Sequence, residues 1–248
     1  QVLRETARRH PENDALTFVE SGTRATWKEV DQDTDRLAKS LLSVGFGPGD
    51  RLGVWSTNIP EWVRLQFATA RIGVVLVTIN PAYRAQELEY TLRQAELNGL
   101  ALVDAHKSSD YVATFLEVCP EVSRCTPNLL DSKKFPNLRH VILLRGNPQP
   151  GMLSWADLAS RADQVSDEML AQVEAELEPS APINIQYTSG TTGLPKEATI
   201  YHRNILRRKP AAWLERSPLH PRAPLSLFWL RDGIAVLRSP WYDDGFSG

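Results

Sequence analysis

From residue 15 to about residue 204 the chain alternates short runs of β-branched and aliphatic residues with longer stretches whose apolar residues recur every three to four positions. That order leaves few folds open. Strands separated by helices pair in parallel, because a parallel neighbour is reached only through a crossover long enough to hold a helix. The reading is therefore α/β, a mostly parallel sheet flanked by helices. The runs at 15–19, 51–56, 74–79, 100–103, 140–144 and 183–187 are the expected strands. Between them Val30, Leu37 and Leu41 lead into Gly45 as a C-terminal cap, and 61–72 and 85–95 carry the same helical spacing. Leu3 and Ala7 share it at the start of the chain, which opens on Gln1 instead of Met and reads as truncated there.

Charge narrows the partners. With 28 Lys and Arg against 30 Asp and Glu the net charge is −2, and the basic residues are dispersed, so nucleic acid and anionic lipid are not expected. A small molecule is. The longest apolar run, 72–79, is far short of the ~20 residues that span a bilayer, so no transmembrane segment is expected. Cys119 and Cys125 match neither a redox pair nor half a zinc site and read as structural thiols in a reducing compartment.

Several patterns resolve to plain structure. The aspartates Asp31, Asp33 and Asp35 imitate the start of a calcium loop, but Arg36 and Leu42 stand where glycine and glutamate are required, leaving a solvated helix face. Residues 45–50, Gly-Phe-Gly-Pro-Gly-Asp, follow a helix and precede a strand, the reverse of a dinucleotide fingerprint, and read as a turn. Neither HExxH nor GxSxG occurs. The acidic stretch 154–178 reads as one solvated helix, ended by Pro179, Ser180 and Pro182 before an internal strand.

One constellation stands apart. Directly after the strand 183–187 comes Thr-Ser-Gly-Thr-Thr-Gly-Leu-Pro-Lys over 188–196. Thr188, Ser189, Thr191 and Thr192 supply hydroxyl donors, Gly190 and Gly193 let backbone N–H groups turn toward an anion, and Lys196 adds a mobile positive charge. This is phosphate-binding chemistry. The spacing of its glycines excludes a Walker A loop.

Tyr187 through Lys196 resembles the phosphate-loop signature of the AMP-forming adenylating superfamily. Thr57-Asn58-Ile59-Pro60-Glu61-Trp62, Ala70-Arg71-Ile72-Gly73, Asn80-Pro81-Ala82-Tyr83-Arg84 and Glu87-Leu88-Glu89-Tyr90 are similar to its medium-chain and fatty acyl-CoA synthetase branch. Asn184-Ile185-Gln186 and His202-Arg203-Asn204 extend the likeness, which covers about 1–205. It implies the N-terminal part of the large adenylate-forming domain. It also implies a ligase that joins a fatty acid to AMP from ATP, releasing pyrophosphate, and then passes the acyl group to CoA. Thr188, Ser189, Gly190, Thr191, Thr192, Gly193 and Lys196 are then the residues around the β- and γ-phosphates and their Mg2+. The implied compartment is the cytoplasm, or the mitochondrial matrix of a eukaryote.

The likeness fails in two places. Glu197 replaces the family's glycine, and a carboxylate 4 Å from a phosphate charge costs about 4 kcal/mol at an intermediate dielectric, unless it faces the other side of a following strand. Past Lys196 the family's adenine-side, ribose-side, hinge and C-terminal lysine motifs have no counterpart, so this chain is expected to be inactive, a nucleotide-binding remnant or decayed gene product being the alternative. Another adenylate-forming enzyme is the alternative ancestry. From about residue 205 the final 44 residues hold five of 17 prolines and three of seven tryptophans without periodicity. Shifting the frame of 223–229 by one nucleotide can spell Pro-Leu-Tyr-His-Cys-Phe-Gly, similar to a downstream family hallmark. The expected division is thus 1–205, a partial adenylation domain, and 206–248, an out-of-frame tail.

Overall fold

The computed structural model describes residues 2–18, 21–188 and 196–202. The strands are β1 Asp14–Phe18, β2 Thr23–Thr26, β3 Arg51–Trp55, β4 Val75–Ile79, β5 Gly99–Val103, β6 Ala105–His106, β7 Ser109–Asp110, β8 His140–Arg145, β9 Leu153–Ser154, β10 Pro182–Thr188 and β11 Lys196–Tyr201. The helices are α1 Val2–Arg9, α2 Trp27–Ser43, α3 Pro60–Arg71, α4 Ala85–Gln94, α5 Tyr111–Val118, α6 Trp155–Ala159 and α7 Asp167–Ala175. All six expected strands are present, within a residue or so of their expected bounds.

The main sheet has seven strands in the order β11-β10-β4-β3-β5-β8-β9, with only β10 and β11 antiparallel. From β3 the chain moves through α3 to β4 on one side, then through α4 back across to β5 on the other. Right-handed crossovers in opposite directions put α3 and α4 on opposite faces. The α2 helix packs on α3 and α5 packs on α4, so both faces are covered. The inner strands are accordingly buried along nearly their whole length, with Leu52, Val54, Leu76, Val77, Leu100, Ala101, Val141 and Ile142 all at 0% exposure.

Local chemistry sets the helix ends. Thr26 and Glu29 form a reciprocal capping box at the start of α2, and Gly45, at φ 100°, follows its last turn. Pro60 opens α3, where a missing N–H costs nothing. The segment 45–50 is the expected turn, with Asp50 accepting from Gly47 N at 2.8 Å.

Three findings depart from the sequence reading. The acidic stretch 154–178 is not one helix: Ser154 and Ser166 each cap a new start, accepting from Asp157 N and Met169 N, which gives α6, a 3-10 turn and α7. The helix α5, capped by Asp110, was not expected although Tyr111, Val112, Phe115 and Val118 give it a buried stripe. Nor is the aspartate face of α2 merely solvated. Asp33 pairs with Arg64 at 2.8 Å, while Asp31 and Asp35 close on Arg71, whose side chain is 6% exposed. Arg4 of α1 and Glu174 of α7 complete the cluster, at 2.9 Å from each other. Residues 64 and 71 lie two helical turns apart, so one face of α3 meets this charged side of α2.

Cys119 is buried, its pKa pushed up to about 11 by burial, Cys125 is half-buried, and both cysteines are free. The region expected to form the tail, from 206 on, lies outside the described residues.

Replacing Arg71 by Met leaves three carboxylates facing each other around one remaining arginine and should cost about 3–5 kcal/mol in chemical denaturation, whereas Arg9→Ala, which breaks an exposed pair, should cost under about 0.5. His140 gives a pH signature. Burial, helped by Arg139, holds its imidazole down to about 4, below the usual 6.5, beside the Phe46 ring at 4.5 Å. The unfolded chain therefore binds the extra proton first, and stability present above pH 6.5 is lost as pH falls toward 4. Urea midpoints of His140→Phe should lose about 2–3 kcal/mol of that dependence.

Candidate functional site

In a parallel sheet the carboxyl ends of the strands share one edge, and their loops meet there. Here β3, β4 and β10 are neighbours, so the segments 56–60 and 80–84 leave the sheet side by side, and β10 ends at Thr188 next to them. The end of β10 is thus brought by topology beside strand ends more than a hundred residues earlier in the chain.

The loop after β4 is held tightly. Asn80 Oδ1 accepts from Ala82 N at 2.9 Å, and its carbonyl accepts from Tyr83 N at 3.0 Å and from Trp55 Nε1 at 3.1 Å. Tyr111 Oη donates to Pro81 O at 3.1 Å, and the Tyr111 ring meets Trp55 edge-on at 4.5 Å. Sequence reasoning singled out 80–84 by likeness alone; the Asn-Pro turn signal was readable, but its two aromatic supports come from distant strands and helices. Next to β3, Glu61 forms a bidentate pair with Arg145 at 3.1 and 2.8 Å.

The phosphate-loop candidate follows β10. Ile183 and Ile185 are each 3% exposed, and Asn184, Ile185 and Gln186 register in parallel against Leu76, Val77 and Thr78 of β4. Asn184 Nδ2 donates to Gln66 Oε1 of α3 at 3.1 Å, tying the strand to the helix beneath it. Thr188 ends β10, Lys196 begins β11, and the two are direct cross-strand partners. Ser189, Gly190, Thr191, Thr192 and Gly193 lie between them, outside the described residues.

The next pair inward is Tyr187 opposite Glu197. One step along a strand changes the face. Tyr187 faces α4, where burial, reinforced by Glu197 and then Tyr90, pushes its phenol up to about 12. Glu197 is exposed on that same side. Beyond the hairpin, His202 N bonds to Ala181 O, and burial lowers its imidazole's pKa; Arg203 and Asn204 lie outside the described residues. Among the described residues no cluster of three or more His, Cys, Asp or Glu side chains could hold a metal.

Comparison with known proteins identifies the family. The family model described as AMP-binding enzyme matches residues 3–229. The mitochondrial medium-chain acyl-CoA ligase ACSF2 of Macaca fascicularis is 40% identical over 243 residues, 98% of this chain and 38% of that protein. The Danio rerio protein of the same name is 40% identical over 206 residues, 83% of this chain and 34% of its own. Acetoacetyl-CoA synthetase from Streptomyces lividans superposes with a TM-score of 0.65 at 30% identity, covering 83% of this chain and 30% of that one. The chain spans little more than a third of the length of the curated relatives it matches.

The two tyrosines at this edge separate a used hydroxyl from an unused one. Tyr111→Phe removes the bond to Pro81 and should cost about 1 kcal/mol in urea denaturation, whereas Tyr187→Phe removes a buried hydroxyl with no partner among the described residues and should be neutral or slightly stabilising.

Proposed function

Since this chain belongs to the AMP-binding enzyme family, with relatives that are acyl-CoA ligases, we propose that it carries the triphosphate-binding part of an ATP-dependent fatty acyl-CoA ligase and binds ATP without completing the reaction. One observation supports this most: the hydroxyl- and glycine-rich loop is carried on a buried parallel strand to the carboxyl edge, with Thr188 and Lys196 paired at its two ends.

In this reading Thr188, Ser189, Gly190, Thr191, Thr192, Gly193 and Lys196 hold the β- and γ-phosphates with their Mg2+. Backbone N–H groups and hydroxyls donate to the phosphate oxygens, while Lys196 offsets charge as pyrophosphate leaves. The complete reaction condenses a medium- or long-chain carboxylate with the α-phosphate to give acyl-AMP, then transfers the acyl group to the CoA thiol. In this reading the groups that serve adenine, ribose and the second half-reaction are not among the residues of this chain, which spans little more than a third of its relatives' length. The compartment proposed is the cytoplasm, or the matrix for a eukaryotic source, as the mitochondrial relatives suggest. The division proposed is a coherent part over 1–205 followed by an out-of-frame continuation. Its coding sequence tests this, and codons unable to give the family strings in the shifted frame would sink it.

The functional test is direct. With ATP, Mg2+ and octanoate or palmitate the chain should bind ATP in calorimetry and release no pyrophosphate above background; turnover at ordinary enzyme rates overturns the inactive reading, and absence of ATP binding favours a decayed product. Lys196→Ala should weaken ATP binding at least tenfold, the size of one charge-assisted contact of about 1.5–3 kcal/mol. Glu197→Gly should change it less than about twofold, because the Glu197 carboxylate is exposed, where water and salt screen its charge.

A further inference from the structure

In the helical layer formed by α2, α3 and α6 these helices leave an open cleft of about 320 Å³ between them. We propose that this cleft is a second, separate binding site for a small carboxylate bearing a flat apolar group. Its wall is Leu37, 5% exposed, and the half-buried indole of Trp155; its polar lining is Asp33, Arg36, Ser40 and Arg64.

Charge selects the ligand class. Arg64 Nε lies 2.8 Å from Asp33 Oδ2, so these two neutralise each other. Arg36 has neither ion pair nor side-chain hydrogen bond among the described residues, although the other arginines of this helical layer, Arg4, Arg64 and Arg71, are all paired. The lining therefore carries one uncompensated positive charge. An isolated surface arginine is only solvated, but this one opens onto the same concavity as an indole face and a leucine, where low-dielectric walls strengthen its field. Anion on guanidinium and flat group on indole then satisfy both halves of the cleft at once. The volume sits at the lower end of the roughly 300–1,000 Å³ typical of small-molecule sites.

This site is distinct from the phosphate loop. The cleft's lining belongs to α2, α3 and α6 and shares no residue with 188–196, and α6 follows β9, the strand at the far end of the sheet order from the β10–β11 hairpin.

Titrating phenylacetate into the full chain by calorimetry should give saturable one-site binding. Arg36→Gln, at an exposed position, should weaken it at least tenfold, and Ala159→Phe, which places a ring in the cleft's exposed rim, should abolish it. Both variants should keep the wild-type urea midpoint and ATP affinity, so failure here leaves the ligase reading untouched. Should Ala159→Phe not fold, Arg36→Gln carries the test alone. Absence of saturation by about 10 mM, binding that both variants leave unchanged, or competition by ATP would each overturn the proposal.

Discussion

Parallel pairing of consecutive strands is the constraint on which everything else rests. It requires a crossover for every pair, and crossovers run over the faces, so the strands are apolar on both sides and the helices form two layers. It also sends every carboxyl end to one edge. The reversal of direction between β3→β4 and β4→β5 then places neighbouring loops where a ligand can lie between them. The site candidate is therefore a product of connectivity before it is a product of particular side chains.

The second requirement is that the outer helices stay where the crossovers leave them. The α2 helix packs on α3, but α1 and α7 are short, and α7 comes from more than a hundred residues further along the chain. Arg71 draws Asp31, Asp35 and Glu174 together, and Arg4 shares the same carboxylates. Its buried position makes the arrangement all-or-none: removing the cation costs more than the pair was worth, because the carboxylates keep their desolvation without its compensation.

This explains which parts could be read from sequence. Strands such as Val75–Ile79 and His140–Arg145 are continuous apolar runs because they are buried on both faces, and a run of that kind is visible without any knowledge of partners. The phosphate-loop candidate was equally visible, since its chemistry is compressed into ten successive residues. What was not visible depends on pairs distant along the chain. The aspartates of α2 look solvated until α3 and α7 are in place. Trp55 and Tyr111 look like ordinary core aromatics until each reaches a carbonyl of the Asn80-Pro81 turn. Two serines twelve residues apart divided an acidic segment whose charge pattern alone suggested one helix.

Glu197 shows how register decides what composition leaves open. Placed on the phosphate side, its charge would oppose ATP by about 4 kcal/mol, nearly a thousandfold in affinity. Placed opposite Tyr187, it acts first on a phenol, which responds by holding its proton more firmly. The parity of β11 is fixed by the Thr188–Lys196 pair, so a one-residue slip would exchange the two outcomes completely. The pairing that closes the hairpin therefore decides which face of the sheet carries this carboxylate, and its neighbours follow from the ladder and not from the residue itself.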